Sequence, residues 1–192
     1  VRQRPNLTIM GECLVHRVLF EGDRAVGVEA EVGGDVFTVA ADEIILSAGA
    51  IGSPHLLLRS GVGPASQLES IGVPVVLDVP GVGENLRDHP QVHVTWRTRD
   101  DFVQPQGLPT IQTTLRYTAQ NSHLVNDMLI HPGSRGRLRR NPRLNQNNEH
   151  GLLMVVCLDL ATSAGTIRLR SKSIGRWMSS QISLKSPSKL NI

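Results

Sequence analysis

The 192-residue sequence predicts a mixed fold of class α/β (α+β), divided into two parts. Apolar and polar residues alternate through the first fifty residues, and a strand pattern then passes through a glycine turn into a short helix. From Pro109 on, further segments have strand character. Hydrophobic residues make up 40% of the chain, which suffices for a core and excludes wholesale disorder.

Three strands are predicted near the N-terminus. Residues 14–20, 26–32 and 36–46 are the strand patterns, and Glu21-Gly22-Asp23 and Gly33-Gly34-Asp35 are turns between them. The last run ends in Ile44-Ile45-Leu46, which is continuously apolar, as in a strand buried on both faces. We therefore predict a meander whose third strand enters a core.

A short helix is predicted after this strand. Ser53 is a good N-cap, Pro54 suits the first helical position, and Gly61 suits the C′ position. The small residues Ser47, Ala48 and Gly49 leave the backbone open to a ligand, and the helix N-terminus favours an anion. A tight strand-to-helix corner without a ligand is the alternative.

The rest of the chain is predicted to be loop-rich up to Pro90, where we place a domain boundary. Residues 66–71 could form one or two helical turns, and residues 73–79 an edge strand, because Pro74 interrupts them. Further strands are predicted at residues 92–97, 110–117, 127–131, 152–159 and 166–169, a polar loop at 133–150, and no clear element in the last twenty residues.

Several kinds of site are not predicted. Residues 81–86 fail the G-x-G-x-x-G fingerprint at its last position, and there is no P-loop or G-x-S-x-G. His89 and His93 would lie roughly 13 Å apart on a strand, too far for one ion. Cys13 and His16 would lie on opposite strand faces. We predict no metal site, and buried thiols at Cys13 and Cys157.

Charge and hydropathy limit the partners. The net charge is +3, and five arginines fall within residues 135–143. We interpret this arginine run as a solvated loop in preference to a phosphate-binding site. Aromatic residues make up only 3%, so we expect no nucleic-acid partner. The sequence contains no run of 18 apolar residues, so no membrane span is predicted, and no signal peptide is evident. A cytoplasmic protein is therefore expected.

Several stretches together resemble the glucose-methanol-choline (GMC) oxidoreductase family of flavoenzymes. Residues 49–63, GAIGSPHLLLRSGVG, are similar to the family's second signature, and residues 80–90, PGVGENLRDHP, to its following loop. Shorter stretches at residues 4–9, 15–20, 126–128 and 165–169 also resemble the family. The resemblance covers about residues 2 to 172.

The resemblance implies FAD as cofactor and hydride transfer from the CH–OH group of a small-molecule alcohol to the flavin. It implies that residues 1–90 are part of a Rossmann-like FAD-binding domain, residues 91–173 part of an antiparallel-sheet substrate domain, and residues 174–192 an unmatched tail. Val15 matches the position whose backbone meets the adenine. Ser47, Ala48 and Gly49 match the turn beside the cofactor, and we add Ser53 to the predicted cofactor-binding residues.

The departures from the family concern catalysis. The Gly-rich pyrophosphate fingerprint and the segment with the catalytic His pair do not occur here, so none of the seven His residues is assigned as a catalytic base. We therefore expect the chain alone to be inactive and to bind FAD weakly. The alternative is a non-catalytic remnant or small binding module without cofactor. The substrate alcohol, the electron acceptor and the oligomeric state stay open.

Overall fold

Two compact units make up the chain. The computed structural model describes residues 3–99, 101, 109, 111–137, 150–171 and 180–184. The first unit combines Val1–Leu86 with Ser163–Ile192, and the second is Arg87–Thr162. The assignment of residues 1–90, 91–173 and 174–192 to a cofactor domain, a substrate domain and a tail stays a prediction.

The first unit contains the predicted meander. Strands β1 (Leu14–Glu21), β2 (Arg24–Val32) and β3 (Asp35–Ala40) form an antiparallel sheet in the order β1-β2-β3. Gly33 and Gly34 turn the chain between β2 and β3 with φ angles of +62° and +100°, which glycine adopts without steric cost. The alternating pattern and the turn residues therefore predicted this sheet correctly.

The third strand is shorter than predicted. It ends at Ala40, and Ile45 lies outside any strand with 79% of its surface exposed. No strand in the described part of the chain pairs with residues 43–46. The prediction that Ile44, Ile45 and Leu46 form a buried strand is wrong for this structure, because an apolar run is buried only where a neighbouring segment pairs with it and covers it.

Helix α1 (Gly49–Arg59) begins five residues earlier than predicted, so Ser53 is not its N-cap and Pro54 lies inside it. The Ser53 hydroxyl instead accepts a hydrogen bond of 3.0 Å from the amide of Ala48, the residue before the helix. The end of the helix agrees with the prediction, since Gly61 follows the C-cap residue with a φ of +86°.

Several short elements complete the first unit. They are β4 (Val62–Gly63) paired in parallel with β5 (Leu77–Asp78), α2 (Ala65–Ser70), and the antiparallel pair β10 (Gly165–Leu169) and β11 (Ser180–Leu184). Residues from α1, α2, β10 and the loop after α2 form the core, namely Leu58, Leu68, Val73, Ile167 and Leu169. The prediction of no element in the last twenty residues is wrong, because β11 lies there. Its residues show no clear alternation of apolar and polar side chains, and the strand forms by pairing with β10.

The second unit is a four-stranded antiparallel sheet in the order β6-β9-β8-β7. Its strands are β6 (Gln91–Arg97), β7 (Leu115–Tyr117), β8 (Met128–Arg137) and β9 (His150–Leu158). Strand β8 extends into the segment predicted as a loop, across a register shift between Gly133 and Gly136. Of the arginine run, two members lie in β8, and the others lie outside the described residues. Neither α1 nor α2 is long and apolar enough to cross a membrane.

Candidate cofactor site

Helix α1 is fixed to strand β1 by one buried side chain. The Ser60 hydroxyl accepts a hydrogen bond of 2.8 Å from the amide of Val18 and donates one of 2.6 Å to the carbonyl of Leu56. The two elements that carry the predicted cofactor residues are therefore in contact. No local pattern predicts this role for Ser60, because its partner Val18 is 42 residues away.

The start of α1 is an open backbone turn. Ser47, Ala48 and Gly49 are all exposed. Gly49 has a φ of +82°, and a Cβ atom placed on it would meet no heavy atom within 4 Å. No side chain caps the helix, so its first amides have no side-chain partner, and the positive end of its dipole lies at this turn. The geometry allows a flat or anionic group to approach the main chain closely.

The remaining two predicted residues lie beside this turn and on the meander. Ser53 is half-buried and orders the turn through its bond to the Ala48 amide. Val15 is 36% exposed on β1, opposite Ala30, next to a bulge at His16. These positions fit a ligand that lies along the main chain, while the contacts of Val15, Ser47, Ala48, Gly49 and Ser53 with FAD stay a prediction.

Two side-chain contacts between β1 and β2 involve charged residues. Arg17 donates hydrogen bonds of 3.2 and 2.8 Å to the two carboxylate oxygens of Glu29, and this bonding lowers the pKa of Glu29. The register of the hairpin, with Arg17 opposite Glu29, is the signal from which this pair could have been predicted. His16 is buried, with Nε2 at 2.8 Å from Glu31, so it is occupied in a cross-strand contact rather than paired with Cys13.

One histidine on α1 was not singled out from the sequence. Burial, and then the charge of Arg59, lower the pKa of His55, which favours the neutral imidazole. Its Nε2 is buried without a hydrogen-bond partner among the described residues. His55 therefore adds an uncharged polar atom to the helix that begins at the open turn.

A model of the GMC oxidoreductase family matches residues 1–91 of this chain. The chain belongs to the GMC oxidoreductase family. An oxygen-dependent choline dehydrogenase of Pseudomonas putida is 54% identical over 98 residues, which is 50% of this chain and 17% of that protein. A GMC-type oxidoreductase of Rhodococcus erythropolis is 38% identical over 153 residues, 70% of this chain and 31% of that one.

The fold is also that of an oxidase of known structure. Pyridoxine 4-oxidase from Mesorbium loti matches with a TM-score of 0.73 and 26% identity, over 96% of this chain and 36% of that protein. This chain therefore spans less than a third of the two relatives by sequence and about a third of the pyridoxine oxidase by structure. The predicted family and fold class are confirmed.

The matched segment contains the open turn. The N-terminal domain of GMC oxidoreductases is their FAD-binding domain, and residues 1–91 match it. This range includes β1, the turn at Gly49 and all of α1. The exposed turn, the open space beside Gly49 and the uncapped helix are features of this chain that fit a bound dinucleotide.

Proposed function

We propose that this chain supplies part of the FAD site of an oxidoreductase that oxidises the CH–OH group of a small-molecule alcohol. The observation that carries the proposal is the open turn at Gly49, which lies inside the segment matched by the GMC family. FAD, when bound, supplies the hydride acceptor. The second unit would belong to the substrate domain, and the protein would act in the cytoplasm without a nucleic-acid partner.

The residues of this chain bind and orient the cofactor in this proposal. The backbone of Ser47, Ala48 and Gly49 would lie against it, since the side chains there are small and the space is open. The free amides at the start of α1 would favour its negative charge. Ser53 would hold the turn in shape through the Ala48 amide, and the backbone of Val15 would contact the adenine.

The test is flavin occupancy in a grafted enzyme. Residues 1–91 of this chain replace the corresponding segment of the Pseudomonas putida choline dehydrogenase, and bound FAD per chain is measured by absorbance. Two substitutions add a side chain to the turn with little backbone strain. Gly49→Asn uses a residue that tolerates positive φ, and Ala48→Leu uses a site with a φ of −85°.

Both substitutions should weaken FAD binding about tenfold to a hundredfold, the effect of roughly 1–3 kcal/mol of steric overlap. Gly72→Asn is the matched control, because Gly72 has a φ of +71° and open space but lies outside the proposed site. It should leave occupancy unchanged. Full FAD content in both turn variants would show that the turn is only a corner in the chain, whereas a graft that holds no FAD even without a substitution would favour a cofactor-free module.

A further inference from the structure

The sheet of the second unit brings together residues that are far apart in sequence. Gln91 on β6 lies opposite Cys157 on β9, and the amide of Leu158 donates a 3.0 Å hydrogen bond to the carbonyl of Pro90. The same antiparallel register, continued by two residues, places His89 opposite Asp159. His89 is a candidate metal ligand from the sequence only together with His93, because a partner 70 residues away gives no local signal.

Three different donor atoms converge where these strands end. His89 Nδ1 lies 3.0 Å from Oδ1 of Asp159, and Cys157 Sγ lies 3.4 Å from the same oxygen. All three atoms lie within 4.8 Å of one another. A tetrahedral zinc ion with bonds of about 2.0–2.3 Å holds its ligands roughly 3.3–3.8 Å apart. The cluster therefore needs only small side-chain shifts to surround one ion.

The donor atoms of the cluster favour a transition metal such as zinc, which is intermediate between hard and soft cations. Imidazole nitrogen, sulfur and carboxylate oxygen are the ligands of Zn²⁺, whereas Mg²⁺ and Ca²⁺ prefer oxygen alone. A thiolate and a carboxylate would neutralise a dication. Arg116 holds the second oxygen of Asp159 at 2.7 Å, and Asp88 accepts a 2.8 Å hydrogen bond from the amide of His89. These contacts position Asp159 and His89. The positive charge of Arg116 and the negative charge of Asp88 cancel, so the two outer residues add no net charge to the cluster.

The cluster has a buried side and an open side. Cys157 is 3% exposed on the sheet, whereas the side chain of His89 is 52% exposed. A cavity of about 330 Å³ adjoins His89 and Asp159, lined by residues 87–89, Leu124 and residues 159–162. Three protein ligands beside an accessible space leave a fourth position for water or an added ligand.

We propose that His89, Cys157 and Asp159 form a site for a zinc-like divalent transition metal, with its fourth position open to the adjoining cavity. This site is independent of the proposed cofactor site in the first unit. The metal would replace the hydrogen bonds that the three side chains now make with one another. Binding would displace the proton of the Cys157 thiol, because a thiol coordinates as the thiolate.

The first test uses Co²⁺ as a spectroscopic probe on the full chain, purified metal-free and with its thiols reduced. A thiolate ligand gives Co²⁺ a sulfur-to-metal charge-transfer absorption. The chain has only two cysteines, so Cys13→Ser is a matched control for Cys157→Ser. The absorption should appear in the wild type and in Cys13→Ser and be lost in Cys157→Ser. Zn²⁺ should displace Co²⁺, following the usual affinity order.

The second test does not depend on a buried substitution. His89→Gln changes an exposed residue and should weaken Co²⁺ binding by more than the 10–100-fold typical of losing an outer-shell partner, whereas His93→Gln should have no effect. Arg116→Met should weaken it by about 10–100-fold, since Arg116 only positions Asp159. If circular dichroism shows that Cys157→Ser is unfolded, the comparison of Co²⁺ affinities between His89→Gln and His93→Gln tests the proposal instead.

Three results would overturn the proposal. They are a wild-type chain without the thiolate absorption, an absorption that survives in folded Cys157→Ser, and equal Co²⁺ affinities for His89→Gln and His93→Gln. Any of these would leave the cluster as a hydrogen-bonded group that joins β6 to the end of β9.

Discussion

Replacing Gly61 with alanine should destabilise the first unit by two separable effects. Gly61 follows α1 with a φ of +86°, which costs an L-residue about 1–2 kcal/mol. The added methyl would also overlap the carbonyl oxygen of Pro74 and lie 2.9 Å from Cγ2 of Val76. A backbone oxygen cannot rotate away, so overpacking should add about 1–3 kcal/mol. The expected loss for Gly61→Ala is therefore about 2–5 kcal/mol.

Gly72→Ala separates the two effects. Gly72 has a φ of +71°, and a Cβ there would meet nothing within 4 Å, so only the backbone cost of about 1–2 kcal/mol applies. Both variants and the wild type are unfolded in urea and followed by circular dichroism, with the free energy taken from midpoints at a common slope. Equal losses for Gly61→Ala and Gly72→Ala would refute the steric argument.

Two further predictions concern single polar groups. Ser60→Ala should cost about 1–3 kcal/mol in urea unfolding, because it leaves the amide of Val18 buried and unpaired, whereas the exposed control Ser70→Ala should stay within about 0.5 kcal/mol. The hydrogen bond from the amide of Ala119 is the chief cause that lowers the pKa of Asp127 in the folded chain. The ionised carboxylate therefore stabilises the fold at any pH above its ordinary pKa of about 3.9. This stabilisation is lost as the pH falls through the lower pKa of the folded state. Asp127→Asn should therefore be less stable at pH 7 and lose less stability in a titration below pH 4, and a parallel loss in both proteins would contradict this assignment.

Local signals predicted the parts of the fold that local chemistry determines. Gly33 and Gly34 fix a tight turn whatever surrounds it, and the alternation on either side fixes the strand faces. Gly61 was predicted at the C′ position because the end of a helix commonly needs a residue with positive φ. The family signature then located the open turn at Gly49 within the same stretch.

The predictions failed where a distant segment decides. Ile45 is apolar but exposed, since burial depends on a neighbour and not on the residue itself. Ser53 was expected to cap the helix, yet its hydroxyl binds the Ala48 amide, and no propensity distinguishes the two uses. The contact of His89 with Asp159 depends on the pairing of β6 with β9, which the spacing of residues along the chain does not reveal.

Strand β10 belongs to the first unit but is synthesised after the second unit, so the core of the first unit closes late. Leu86 and Gly165 exchange two backbone hydrogen bonds, and the amide of Ile167 donates to the carbonyl of Gly83, so this core closes only after about 80 further residues are made. At about 5–20 residues per second, a ribosome needs roughly 4–16 s for that stretch. Throughout this interval the nascent chain holds Leu58 and Leu68 without the strand that covers them, while residues 87–162 emerge and can pair among themselves. The core around Leu58 and Leu68 is therefore completed only after β10 has been synthesised.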